Sequence, residues 1–597
     1  WVHHPCSHEW RFTTPKPPFL GVKSDRYSDL AQNVVVFSEE CQTFRSHVVV
    51  SQQGDASEAG RQVLKGGGNA VDAAIATAFA LAVTHPAAGN LGGGGFLVAY
   101  LAEKGEVVTV DFRETAPKAA TERMYLGPDG RPLPGHRAGP RAAGVPGTVR
   151  GLGLAHEKWG RTSWPNLVRP AARLARDGFP VSASLAASLN AQLFGHDPAA
   201  TGGVPEDLGP QGDRLGDFAA SVAAFRKPDG SRWREGDRLV QRDLADTLDR
   251  ITAQGPDEFY LGDTARKTVA HMEQQGGLVT LGDLAAYRAR QRPPIRGTYK
   301  GFEVYGMGPP ASGGILIVQM LNILERFDLK ADGPRSPRTL HRVTEAMRRG
   351  FYTRASAIAD PDFVEVPVDR LISKSHAEEL ARTIGDRATP SASLAPFPIQ
   401  APEGAHTTHL STLDGQGNAV ALTYTLEEGY GCKSVVEGAG FLLNNEMGDF
   451  NLIPGRTDSA GRIGTPPNRI APGKRMLSSQ SPTIAVRDGK VRLVTGSPGG
   501  RTIPNTTLWV VLNVLEFGLS PREAVDAPRT HHPWFPDVLN LEGRGWDEAT
   551  LGALRGMGHT LKVGGIQGDA HTIVVAQDGT IHGIPDHRRQ TSRASGD

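Results

Sequence analysis

Cysteine is scarce in this chain. Cys6, Cys41 and Cys432 are the only three in 597 residues, too few and too scattered for a disulfide framework or a structural zinc site. Neither charge is in excess: 65 Lys and Arg stand against 64 Asp and Glu, a net charge of +1. A nucleic-acid or anionic-membrane partner ordinarily needs a clear basic surplus, and this balance gives such a partner no support. No apolar run approaches the roughly 20 residues of a membrane span. The longest candidate, residues 70–83, is interrupted by Asp72 and Thr77 and is expected to be a buried core helix. The Gly-x-Ser-x-Gly, His-Glu-x-x-His and Cys-x-x-Cys signatures are all missing. The run Gly89-Asn90-Leu91-Gly92-Gly93-Gly94-Gly95 lacks the Gly-Lys-Ser/Thr and the following helix of a phosphate loop. Close backbone packing beneath a site is the better expectation for it.

What the chain does contain is ample core material, 39 % hydrophobic residues, with 72 glycines and 43 prolines to punctuate it. The length fits about four domain-sized units, or one large soluble body of two or three interlocked ones. Residues 1–46 stand apart. They hold two of the three cysteines and no sustained periodicity, and His3, His4, Cys6 and His8 form no convincing metal tract without a partner cluster. No basic-then-apolar export pattern is visible from Trp1 onward, and the compartment stays open. Helical spacing over 57–65 stops at Gly66-Gly67-Gly68, and Asn69 is placed to cap the next helix. Further helices are expected at 167–177, 239–253, 315–327 and 506–516. Four hairpins are expected: 96–101 with 107–112, 409–413 with 419–425, 483–486 with 491–495, and 571–576 with 580–584. Asp-Gly marks the last three turns, at Asp414-Gly415, Asp488-Gly489 and Asp578-Gly579. Antiparallel hairpins with segregated helices predict a layered α+β fold and disfavour a doubly wound parallel sheet.

A dense polar strip runs from residue 407 to 500. It opens with His406-Thr407-Thr408-His409, passes Thr423-Tyr424-Thr425 and Asn444-Asn445-Glu446-Met447-Gly448-Asp449-Phe450, and closes with Ser478-Ser479 and Gly496-Ser497-Pro498-Gly499-Gly500. With these go Gly66-Gly67-Gly68-Asn69-Ala70-Val71-Asp72, Thr84-His85-Pro86, Asp111-Phe112-Arg113-Glu114-Thr115-Ala116-Pro117, Gly144-Val145-Pro146-Gly147-Thr148, Pro309-Pro310-Ala311-Ser312-Gly313-Gly314 and Asp360-Pro361-Asp362-Phe363-Val364. Ordered along the chain, these strings resemble the γ-glutamyltranspeptidase (glutathione hydrolase) family of N-terminal-nucleophile hydrolases. The resemblance runs from about residue 48 to about 590.

The resemblance implies a four-layer αββα sandwich of two interlocked subunits, made as one precursor that cuts itself at His406–Thr407. It divides the chain into an N-terminal extension (1–46), a large subunit (47–406) and a small subunit (407–597). Thr407 would be the nucleophile twice, first on the His406 carbonyl and then on the γ-glutamyl amide. Its freed α-amino group, with an ordinary pKa of about 7.7–8.0, suits the part of base. By the same resemblance Thr425 hydrogen-bonds the nucleophile, and the N–H groups of Gly499 and Gly500 form the oxyanion hole. Arg113, Ser478 and Ser479 would take the donor's α-carboxylate, and Glu446 and Asp449 its α-ammonium. No metal or organic cofactor is implied. The partners implied are glutathione or another γ-glutamyl donor and water or an amino-acid acceptor. The family favours a periplasmic or secreted setting. Two departures stand out. Glu427 occupies a position where many members have Asn, and the lid-length segment 451–474 contains no aromatic residue where some place a tyrosine. Two other readings use the same scaffold: a cephalosporin- or glutaryl-type acylase, and an uncleaved, non-catalytic binding protein.

Overall fold

Two antiparallel sheets, each of seven strands, face one another across an apolar seam. They belong to a computed structural model that describes residues 42–133, 136–195, 213–394, 406–457 and 464–597. The first sheet runs Arg593–Gly596, Val48–Ser51, His406–Leu413, Ala419–Glu427, Gly94–Leu101, Glu106–Asp111, Arg290–Arg292. The second runs Thr43–Phe44, Ile581–Ile584, Thr572–Val575, Lys490–Thr495, Thr483–Arg487, Phe302–Gly306, Ile295–Tyr299. Both sheets mix strands from before and after residue 406.

Strand alternation builds the layers. Along Gly94–Leu101, Phe96, Val98 and Tyr100 enter the seam between the sheets, while Leu97 and Ala99 pack outward against helices. The helices on that side include Gly54–Lys65, Ala70–Thr84 and Trp164–Asp177. On the far side Gly313–Leu324, Pro337–Ala357 and Ile503–Leu515 cover the second sheet. The result is the four-layer αββα sandwich. Every residue of Ala70–Thr84 is buried, which an alanine-rich helix tolerates because it lets backbones approach. Asn69 caps it as expected, in a capping box with Asp72. The Ala70 N–H also donates to Asp414 at 3.0 Å, so the turn of the 406–427 hairpin is tied to this helix.

All four expected hairpins are present, with ends moved by up to three residues. One helix boundary differs in kind. Leu239 belongs to a short strand, Arg238–Leu239, paired with Phe179–Pro180, and the helix starts only at Arg242. The N-terminal extension also reaches less far than residue 46. Thr43–Phe44 pairs with Ile581–Ile584 at a sheet edge, where Phe44 packs against the seam. Residues 1–41, with His3, His4, Cys6, His8 and Cys41, lie outside the described residues. Among the described residues no helix is long and apolar enough to cross a membrane, and no group of His, Cys, Asp and Glu is arranged to hold a metal ion.

Candidate active site

Thr407 lies near the start of the strand His406–Leu413, directly across from Thr425, with a register shift just before it. Its hydroxyl is 3.4 Å from that of Thr425, whose oxygen also accepts the Glu427 N–H at 2.8 Å. On its other edge the strand pairs with Val48–Ser51 only from Leu410 onward. Residues 407–409 are therefore paired on one side only, and beyond them opens a groove of about 640 Å³. Gln52, Gln53, Tyr430, Gly499, Arg589 and Thr407 are among its lining residues.

The Gly-rich run 89–95 packs beneath this strand, as its sequence suggests. Asn90 fastens it. The Asn90 amide donates to the Thr425 carbonyl at 2.9 Å and accepts from Gly93 N–H and the Thr148 hydroxyl. A Cβ on Gly93 would stand 2.0 Å from the Thr425 carbonyl oxygen, so only glycine permits this approach.

Gly499 and Gly500 follow the strand Lys490–Thr495 and lead into the helix Ile503–Leu515. Their φ values of 128° and 55° place both in backbone that disfavours a side chain. Their N–H groups stand at the approach to a helix N-terminus, which favours developing negative charge. Gly499 borders the groove, Gly500 borders a second, much smaller cavity, and Thr407 borders both.

That second cavity, about 30 Å³, brings together Arg113, Thr425, Glu427, Glu446, Asp449, Ser478 and Ser479. Every side chain assigned to the donor from sequence thus reaches one place. Distant strings hold it in shape. Asn444 accepts from the N–H groups of Gly144 and Glu446 and donates to the carbonyls of Gly92 and Gly144. Ser312 holds the Ser478 carbonyl through both its N–H and its hydroxyl.

Arg113 is 1 % exposed, and its fork is shared. One terminal nitrogen meets Glu446 at 2.5 Å with Glu114 behind it at 3.5 Å, and the other meets Asp449. Burial opposes the cation, but Glu446, Glu114 and Asp449 outweigh it and raise its proton affinity. The pairing with neighbouring Glu114 is therefore real, and it is the longest of the three. Glu427 and Glu446 are pushed well above the usual carboxylate range. Burial is the first cause for both; Glu428 and Asp449 add to it for Glu427, and Glu114, Asp449 and Glu427 for Glu446. Glu427 also carries φ +79°, a left-handed backbone rare for this residue.

Three polar lining residues carried no sequence signal that singled them out: Arg354, Gln480 and Arg501. Gln480 and Arg501 immediately follow Ser479 and Gly500, so adjacency to the motifs would have found them. Arg354 sits on a helix far upstream, with nothing local to mark it. Of the 451–474 segment, residues 458–463 lie outside the described residues, as does the side chain of His406.

Comparison with known proteins gives a consistent picture. The family model described as Gamma-glutamyltranspeptidase matches residues 56–596. The chain is 43 % identical over 547 residues to the glutathione hydrolase proenzyme of Escherichia coli (strain K12), covering 91 % of this chain and 90 % of the relative. It is 36 % identical over 548 residues to the Acylase ACY 1 proenzyme of Pseudomonas sp. (strain SE83), with 90 % and 91 % covered. Among solved structures, the cephalosporin acylase from Bacillus halodurans superposes with a TM-score of 0.80 at 26 % identity, over 95 % of this chain and 99 % of that one.

Proposed function

The chain belongs to the γ-glutamyltranspeptidase family, and from that premise we propose that it is a self-processing γ-glutamyl hydrolase and transferase acting on glutathione and related γ-glutamyl compounds. One observation carries the reading. Thr407 and the Gly499–Gly500 pair border both the narrow charged cavity and the wide groove, so an amide lying across that boundary would present its carbonyl to both.

In the precursor the Thr407 hydroxyl attacks the His406 carbonyl, the acyl group shifts from nitrogen to oxygen, and water cleaves the ester. This leaves a carboxylate on His406 and a free α-amine on Thr407, and divides the chain into 47–406 and 407–597. The amine then takes the proton of its own hydroxyl as the oxygen attacks the γ-glutamyl carbonyl. Negative charge on the carbonyl oxygen falls to the N–H groups of Gly499 and Gly500. The leaving amine departs with a proton through the groove. Water or an acceptor amine enters the same way and takes the acyl group from Thr407.

In the small cavity Arg113, Ser478 and Ser479 address the α-carboxylate, and Glu427, Glu446 and Asp449 the α-ammonium. The acylase reading has its own support in the acylase relative at 36 % identity. An acyl group without an ammonium, however, would leave three acids in one small cavity, where Arg113 is the cation paired to Glu446 and Asp449. Parallel assays on γ-glutamyl and glutaryl anilides, with intact-mass measurement of the purified protein, decide the matter. Two fragments and preference for the γ-glutamyl compound are expected. A single uncleaved chain, or preference for the glutaryl compound, would overturn the reading.

A further inference from the structure

The small cavity contains a positive charge that no described residue answers. Arg354 lies in the last turn of the helix Pro337–Ala357, only 4 % exposed, and lines the cavity beside Arg113, Glu446, Asp449 and Thr407. None of its nitrogens makes a hydrogen bond or ion pair with a described residue, and its Nε is wholly enclosed. The negative end of its helix favours a cation there, but a dipole leaves the five guanidinium donors unused. A buried charge without partners is unfavourable unless something else supplies them.

On the same cavity wall Gln480 is 2 % exposed, with both polar atoms of its amide buried and unpartnered. Arg113 is in the opposite state, its fork already occupied by Glu446 and Asp449. A carboxylate arriving at Arg113 alone would have to displace those acids, which the adjoining ammonium also needs.

We propose that Arg354 is a second guanidinium of the donor site, taking the α-carboxylate of the γ-glutamyl group jointly with Arg113 so that Arg113 stays paired with Glu446 and Asp449. Gln480 supplies a further amide donor to the same group. The assignment rests on the γ-glutamyl reading above and deepens it.

The test compares two competitive inhibitors of γ-glutamyl anilide hydrolysis. L-Glutamate carries the α-carboxylate; 4-aminobutyrate is the same molecule without it. In Arg354→Gln the inhibition constant of L-glutamate should rise about ten- to a hundredfold, the usual effect of losing a charge-assisted contact to a carboxylate, while that of 4-aminobutyrate stays unchanged. Arg354→Lys keeps the charge without the fork and should fall between. It also provides the same comparison if the Gln variant is not processed. An equal rise for both inhibitors makes Arg354 structural and overturns the proposal, as does no rise for either. A wild-type protein that fails to hydrolyse the anilide refutes the γ-glutamyl reading itself; a competent wild type with indifferent variants refutes only this assignment.

Discussion

Replacing Glu427 by Asn should improve the fold and change the chemistry together. Glu427 ends the catalytic hairpin in left-handed backbone, φ +79°, with Oε2 buried and unpartnered. Asn tolerates that conformation far better, a relief of about 1 kcal/mol. The exchange also removes a carboxyl whose charged form burial disfavours, with Glu428 and Asp449 adding to the effect. Because its proton is held more tightly in the folded chain than in the unfolded one, the penalty is absent below the ordinary carboxylate pKa and grows as pH rises through the elevated one. The thermal midpoint of Glu427→Asn should therefore exceed that of wild type by more at pH 8 than at pH 4. For the reaction, Glu427 lines the same small cavity as Thr407, so the carboxylate of an acceptor attacking the Thr407 ester approaches it. Once Glu427 is ionised, at pH above its elevated range, two charges about 8 Å apart at an effective dielectric of about 20 repel by about 2 kcal/mol. Arg137 and Lys433 offset part of this charge, leaving about 1–2 kcal/mol in the ionised form, a five- to thirtyfold rise in acceptor KM at alkaline pH that water escapes and that fades as Glu427 is protonated. The assay is the ratio of γ-glutamyl-glycylglycine formed to glutamate released. A ratio unchanged in Glu427→Asn refutes the argument, because a buried carboxylate bordering the nucleophile's cavity cannot be dismissed as a solvated surface acid.

Thr407→Ala should remain one chain by intact mass and be inactive, and Thr407→Ser should retain some processing; cleavage of the Ala variant at the same bond would eliminate Thr407 as nucleophile. Arg113→Lys cannot bridge Glu446 and Asp449 at once, and its kcat/KM on a γ-glutamyl anilide should fall about ten- to a hundredfold with precursor cleavage intact, whereas wild-type kinetics would remove Arg113 from the donor site. Glu427 is among the charges raising Glu446, so in Glu427→Gln the carboxylate-dependent acidic limb of the kcat/KM profile should move to lower pH; an unmoved limb would mean that Glu446 does not titrate with donor binding.

The hairpins were legible because period-two alternation and Asp-Gly turns are local signals, and each expected pair is found. Helix ends were less so, for identifiable reasons. The double glycine at the start of Gly313–Leu324 reads as punctuation, yet it is helical: a Cβ on Gly314 would stand 2.3 Å from the Met307 carbonyl oxygen, so packing selects glycine there. Leu239 carries the apolar spacing of the following helix but is claimed by a strand partner about sixty positions upstream, Phe179. At the site, every catalytic and donor-binding residue assigned from sequence lines one of the two cavities. Arg354 does not announce itself, because what distinguishes it is the absence of a partner, a property of the fold and not of neighbouring residues.

The sheet order explains how one peptide bond in this chain can be cut without the body coming apart. The strand that begins beside the His406–Thr407 bond is flanked by Val48–Ser51 on one edge and by its own hairpin partner on the other, which in turn pairs with Gly94–Leu101. Two strands from before the cut thus enclose two from after it, and the apolar seam beneath includes residues from both. Separating the pieces would expose a sheet interior on both sides, so the new terminus is open along one edge only, and only over its first residues. Those are Thr407, Thr408 and His409, which pair with Thr425, Tyr424 and Thr423 but extend past Ser51 on the other edge, where the groove opens. The access that a newly made amine needs is confined to these three positions, and pairing on both edges begins at Leu410. Lengthening the neighbouring strand tests this: substitutions at Gln52 and Gln53 that extend pairing toward Thr407 should slow turnover while leaving the fold intact, and unimpaired turnover in a variant shown by amide exchange to be paired there would refute the argument.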